Sequence, residues 1–128
     1  MQIEFLTLHT VLQIHHHQLR VYGGSPGIRD QGLLISAIAQ PSATFEDRYL
    51  HHDLFEMAAA YLFHLAQNHP FVDGNKRVAI ASALVFLRLH QIKLTAEPES
   101  LEKLVFSVSK GESSKIQIAA FFRKNSKS

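Results

Sequence analysis

Leu8, Val11, Leu12, His15 and Leu19 recur at the spacing of one helical face, and the run stops before the breaker cluster Gly23-Gly24-Ser25-Pro26-Gly27. The pattern predicts a first helix over 7–22. Asp30 then stands as an N-cap before Leu33, Leu34, Ala37 and Ile38, a short helix that Pro41 should stop. A polar loop covers 42–52. Leu54, Ala58, Tyr61, Leu62 and Leu65 mark a third helix, and Pro70 sets its end near Gln67 or Asn68. From Lys76 to His90 almost every position is apolar, which predicts the central, most covered helix of the fold.

Ile92-Lys93-Leu94-Thr95 alternates like a short strand, and its expected partner is Ile3-Glu4-Phe5-Leu6. Pro98-Glu99 suits a first helical turn, with Leu101, Leu104, Val105 and Val108 as its apolar face and Gly111 as its C-cap. A last helix carries Ile116, Ile118, Ala119 and Phe122, and the basic tail 123–128 is expected to fray. No repeat, low-complexity segment or internal linker interrupts the pattern. The chain therefore reads as one domain over 1–128, a compact, mainly all-α bundle with at most a minor short β-pair.

Composition removes several functions. The 128 residues include no cysteine, so disulfides, thiolate nucleophiles, cysteine-ligated zinc and iron–sulfur chemistry are excluded. The same lack is compatible with a reducing cytosol, and the cytoplasm is the expected location. Lys and Arg number 13 against 11 Asp and Glu, a formal charge of +2, too small an excess for strong counterion-driven binding to a polyanion. Nucleic acid is thus not an expected partner, and the few cations of the tail do not change that. No secretory signal is visible at Met1-Gln2-Ile3-Glu4, and the longest apolar stretch, Val78–Leu87, is too short to span a bilayer, so no membrane role is expected. Nine histidines include His15-His16-His17 and His51-His52. Adjacent side chains on a helix diverge by about 100°, so the triplet cannot close on one metal ion, and His64 reads as a packed histidine.

One segment is too loaded for a plain connector: His69-Pro70-Phe71-Val72-Asp73-Gly74-Asn75-Lys76-Arg77, leading directly into the most apolar helix. A helix start presents unpaired N–H groups and the positive end of the macrodipole, a ready anion site. Gly74 permits a positive φ and close approach of a phosphate, while Asn75, Lys76 and Arg77 add an amide and two cations. Two cations in a first turn oppose the macrodipole unless an anion compensates them. Asp73 can hold Mg²⁺ that also bridges phosphate oxygens, and His69 is placed to take a proton from an attacking hydroxyl. Phe71 and Val72 are expected to anchor the turn in apolar surroundings. A base, a metal ligand and an anion cradle in one turn make a phosphate-transfer centre. Singly, each has a plainer reading: Asn75 as an N-cap, Asp73 as a turn former, Gly74 as a loop glycine, His69 as a satisfied histidine.

The segment resembles the signature of the Fic/Doc superfamily, His-x-Phe-x-Asp/Glu-Gly/Ala-Asn followed by Lys or Gly and then Arg. Every defined position is matched, by His69, Phe71, Asp73, Gly74, Asn75, Lys76 and Arg77. A second stretch, Tyr22 to Asp30 continuing to Gly32-Leu33-Leu34, is similar to the death-on-curing (Doc) branch. The resemblance implies a compact helical fold, ATP as substrate and Mg²⁺ as cofactor. It implies His69 as general base, Asp73 as Mg²⁺ ligand, Gly74, Asn75, Lys76 and Arg77 as phosphate cradle, and Pro70 and Phe71 as structural. Tyr22 and Arg29 could border the site or only pack the first two helices.

Departures from the pattern bear on the reaction. Adenylyl-transferring members usually carry Gly at the position of Lys76 and a second Arg at the position of Ile80. Lys76 suits Doc-like members, which resemble an inverted arrangement presenting the γ-phosphoryl group, act on elongation factor Tu and form the toxin half of a toxin–antitoxin pair. Pro70 and Gly74 are closer to the adenylyl transferases. An inhibitory helix of pattern Ser/Thr-x-x-x-Glu-Gly/Asn is approached by Thr95 to Glu99 but followed by Ser100, with Pro98 inside it, so inhibition in trans by an antitoxin is expected. Adenylyl transfer and a non-catalytic binding scaffold are the alternative functions.

Overall fold

The computed structural model describes residues 2–127. It consists of α1 (Leu8–Tyr22), α2 (Gln31–Ala39), a 3₁₀ turn (Gln40–Ser42), β1 (Thr44–Phe45), β2 (Arg48–Tyr49), α3 (Leu54–Asn68), α4 (Asn75–Leu89), β3 (Lys93–Leu94), α5 (Pro98–Ser109), α6 (Lys115–Lys124) and β4 (Ser126–Lys127). The fold is a compact helical one, and no helix among the described residues is long and apolar enough to cross a membrane. Side chains start most of the helices. Thr7, Asp30, Asp53 and Ser114 each accept a backbone N–H of the first turn, Ser114 in a reciprocal capping box with Gln117. Pro98 opens α5 at a position where its missing N–H is harmless.

The hub is α3 rather than the expected α4. It packs against α2, α4, α5 and α6, and Met57 through Leu62 are all buried. Consecutive burial needs neighbours on every side, and Ala58, Ala59 and Ala60 let those neighbours come close. On α4 the buried set is Asn75, Val78, Ala79, Ser82, Ala83, Phe86 and Leu87, with Leu89 exposed. Two apolar residues placed on inner faces by periodicity are exposed, Leu33 at 37% and Ile116 at 82%. Single exposed apolar side chains are ordinary, because polar residues are too few to cover a surface.

The short strand forms but pairs elsewhere. Lys93 and Leu94 lie antiparallel to Lys127 and Ser126, and Thr95 N–H donates to Asn125 O at 2.7 Å. The N-terminal segment instead gives its N–H groups to side chains, Glu4 to His90 Nε2 at 3.0 Å and Leu6 to the Tyr61 hydroxyl at 2.8 Å. Alternation announces a strand without naming its partner. The tail is not frayed as expected, since Arg123 and Lys124 complete α6 and Ser126-Lys127 are paired, while Ser128 lies outside the described residues. Arg123 also meets Asp53 at 2.9 Å. Within the expected polar loop, β1 and β2 form a minimal hairpin whose turn residues Glu46 and Asp47 both have positive φ, the form that matches strand twist.

Candidate active site

The loaded turn is held at both ends by left-handed residues: His69 closes α3 at φ 48°, and Gly74 precedes α4 at φ 79°. A strap formed by residues 27–30 runs beside it. Pro70 O accepts from Arg29 N (2.7 Å) and Asp30 N (3.0 Å), Val72 N donates to Gly27 O (3.0 Å), and Ile28 bridges Phe71. The Arg29 guanidinium donates to His69 O at 2.6 Å and to Asn68 O at 2.8 Å. Arg29 therefore caps the carbonyl end of α3, where a cation also meets the negative end of the helix dipole. Its place is under the turn, gripping the backbone of His69.

Asn75 is the first residue of α4 rather than its N-cap, and its side chain folds back into the turn. Oδ1 accepts from Phe71 N at 2.9 Å, while Nδ2 donates to Phe71 O at 2.9 Å and faces His69 Nδ1 at 3.0 Å. Both amide hydrogens are thus engaged, so toward a phosphate Asn75 offers its backbone N–H. Because Nδ2 can only donate, Nδ1 is the acceptor and the neutral His69 ring carries its proton on Nε2. A hydroxyl giving its proton to this ring must displace the amide at Nδ1, or the ring must exchange tautomers as Asn75 lets go.

Periodicity put His15 on the apolar stripe of α1, and the structure gives it a polar task there as well. It is buried, stacks on Phe71 with ring centres 3.7 Å apart, and its Nε2 lies 2.8 Å from Asp73 O. A carbonyl only accepts, so Nε2–H donates and His15 braces the turn from below. Phe71 is buried at 1% exposure, as expected of an anchor, whereas Val72 is 56% exposed and anchors nothing. Phe71 forms a single antiparallel bridge with Ile28, and the chain bends at Val72 and Asp73.

Asp73 is exposed, with Oδ2 accepting from Ser25 N (3.1 Å) and Oδ1 from Gly74 N (2.8 Å). The N–H groups of Ser25 and then Gly74 hold its carboxyl below the usual carboxylate range, with Arg77 and His15 acting in the same direction. Gly24 makes this approach feasible, since a Cβ there would stand 2.9 Å from Asp73 Oδ2. Among the described residues no side chain caps α4, and its first backbone bond runs from Val78 N to Gly74 O at 2.9 Å. The N–H groups of Asn75, Lys76 and Arg77 are left open toward solvent-exposed cationic side chains. Arg77 is held by Tyr22, whose ring centre lies 4.6 Å from the guanidinium carbon. Tyr22 thus borders the site through Arg77.

These residues open onto a cleft of about 380 Å³ lined by Asp73, Gly74, Asn75, Lys76 and Arg77 and walled by Ile80, Glu102, Val105 and Phe106. The wall from α5 was not anticipated. Glu102, Val105 and Phe106 share one helical face, a signal present in the sequence, but only packing puts that face opposite α4.

Comparison with known proteins identifies the family. The Fic/DOC family matches residues 5–87. The chain belongs to the Fic/Doc family. Within it the likeness is to the death-on-curing branch. The chain is 35% identical over 114 residues to "Protein kinase doc" of Escherichia phage P1, covering 89% of each protein. It is 45% identical over 76 residues to "Toxin Doc" of Mycolicibacterium smegmatis, a match spanning 59% of this chain and 58% of that protein.

Away from the Fic/Doc signature, Lys115 Nζ donates to His64 Nε2 at 3.1 Å and faces His51 Nε2 at 3.3 Å. Burial, then Lys115, then His51 lower the His64 pKa from 6.5 to about 4. Burial and Lys115 also lower His51, opposed by Glu56, and burial lowers Lys115. In the unfolded chain a histidine takes its proton near 6.5, but folded His64 does so only near 4. Stability is therefore present above 6.5 and lost as pH falls toward 4. Thermal melts across this window should show that loss, and His64→Gln should flatten it; an unchanged profile would refute the assignment.

Proposed function

We propose that this chain is a Doc-like toxin that transfers the γ-phosphoryl group of ATP to a hydroxyl side chain of a translation protein, with elongation factor Tu as first candidate, and so blocks translation. The single observation that carries the proposal is the uncapped start of α4, where Lys76 and Arg77 stand in the first turn beside Asp73. Cations there are unfavourable until a polyanion arrives. The open N–H groups and both cations hold the phosphates, and Tyr22 keeps Arg77 in place. Asp73 suits Mg²⁺, since it is an ionised, exposed oxygen ligand beside the phosphate site. No group of three or more His, Cys, Asp or Glu able to hold a metal occurs among the described residues, and Mg²⁺ commonly completes its shell with phosphate and water. When bound, Mg²⁺ neutralises charge on the phosphate oxygens.

His69 accepts the proton of the attacking hydroxyl as the new oxygen–phosphorus bond forms and the bond to the β-phosphate oxygen breaks, with ADP as leaving group. Lys76 favours phosphoryl over adenylyl transfer, as does the name of the phage relative, and Ile80 in the cleft wall supplies no second guanidinium. Adenylyl transfer is the second reading, favoured by Pro70 and Gly74. A non-catalytic scaffold is disfavoured by the complete signature. The name of the mycobacterial relative, a toxin, supports an antitoxin partner acting in trans; the cytoplasm is the proposed site of action.

Intact-mass spectrometry of elongation factor Tu after incubation with this protein, Mg²⁺ and ATP tests the proposal, with His69→Ala as control. A gain of about 80 Da, absent in the control, is expected. A gain of about 329 Da would replace phosphoryl with adenylyl transfer, and no change would remove this target.

A further inference from the structure

We propose that Glu102 reads the sugar of the nucleotide, its carboxylate accepting hydrogen bonds from the ribose hydroxyls. This inference rests on the nucleotide reading of the cleft. The cleft at the start of α4 adjoins a second cavity of about 340 Å³, and Arg77, Ile80 and Glu102 line both. Beyond that junction the second cavity is walled by Ala81, Leu84, Leu101 and Pro98, with Gln18 and Tyr22 at its α1 side. Along this path the surface runs from cationic at Lys76 and Arg77, through one carboxylate, to apolar. A nucleoside triphosphate presents the complementary sequence: an anionic chain, a sugar carrying two hydroxyl donors, and a flat base whose ring faces are apolar.

Glu102 is otherwise hard to place. It is exposed, and among the described residues it forms no ion pair or hydrogen bond, since the two ion pairs are Lys110–Glu112 and Arg123–Asp53. Arg77, which lines both cavities with it, lies against the Tyr22 ring instead. A carboxylate touching phosphate oxygens would repel them, so its productive neighbours are uncharged donors. Hydroxyl-to-carboxylate bonds are among the stronger ones available. With the phosphates at the start of α4, the sugar falls at the junction and the base continues toward Leu84 and Leu101.

Equilibrium binding in Mg²⁺ with ATP, 2′,3′-dideoxyATP and inorganic tripolyphosphate, on the wild-type chain and on Glu102→Ala and Glu102→Gln, tests this. The wild type should prefer ATP over the dideoxy analogue by about tenfold or more, the scale of a lost charge-assisted hydrogen bond. Glu102→Ala should bring that ratio to near one, Glu102→Gln should retain part of it, and tripolyphosphate should bind all three chains at least as well as before. Equal binding of ATP and its dideoxy analogue by the wild type, or an undiminished preference in Glu102→Ala, overturns the inference while leaving the phosphate site intact. A wild type that binds no triphosphate overturns the nucleotide reading and this inference with it.

Discussion

A His69→Gly variant is expected to melt about 2–4 °C above the parent and to lose transfer by a factor of about 10²–10⁴. His69 holds φ 48° and ψ 53°, a left-handed conformation that disfavours any side chain by about 1–2 kcal/mol and leaves glycine unstrained. The Arg29 bonds go to the carbonyls of Asn68 and His69, so they survive the loss of the imidazole. Part of the gain is offset because Asn75 Nδ2 loses its partner at 3.0 Å. A net gain of about 0.5–1 kcal/mol remains. His69→Ala separates the two effects: it should be as inactive as the glycine variant yet melt below it. Calorimetry and the mass assay on the same three proteins decide the matter. Residual activity near the parent's would remove His69 from the chemistry, and a glycine variant less stable than His69→Ala would remove the strain. A strained histidine at a functional turn would be the kind of local loss that function sustains and packing must compensate.

Phe71→Ala is expected to destabilise the fold by about 3–5 kcal/mol, while Val72→Ala, one residue on, should stay within about 0.5 kcal/mol. Phe71 is 1% exposed, lies in the main core and stacks on His15, whereas Val72 is 56% exposed. Removing the Phe71 ring leaves a cavity under the turn and deprives His15 of the surface that directs its N–H to Asp73 O. Against a total stability of about 5–15 kcal/mol, that loss should be visible in chemical denaturation. Transfer should fall with it, because the same backbone carries His69 and Asp73. Equal effects of the two substitutions would show that the turn is anchored through its hydrogen bonds and not through the ring.

The starts of the helices were legible because capping is local. Thr7 and Asp30 accept the N–H of a residue three positions ahead, while α5 is capped by Lys110 and Gly111, read as the cap, follows it at φ 77°. The candidate site was legible for the same reason: one turn carries histidine, carboxylate and cations, and a helix start needs no distant contact to be electropositive. Even so, Asn75 shows the limit, since its composition suggested a phosphate ligand and its side chain is instead the brace between Phe71 and His69.

What the sequence determined by itself was therefore set within a few residues: helix existence, the approximate helix ends and the side chains that the turn from His69 to Arg77 brings together. Tertiary structure decided what comes from far along the chain. Arg29 grips the end of α3, His15 supports Asp73 from α1, Lys93-Leu94 pair with Ser126-Lys127, and α5 brings Glu102 to the cleft. Propensity, capping and periodicity act through bonds between near neighbours and are written locally. The choice among distant partners depends on how whole faces pack, a property of the folded chain that no short window of residues contains.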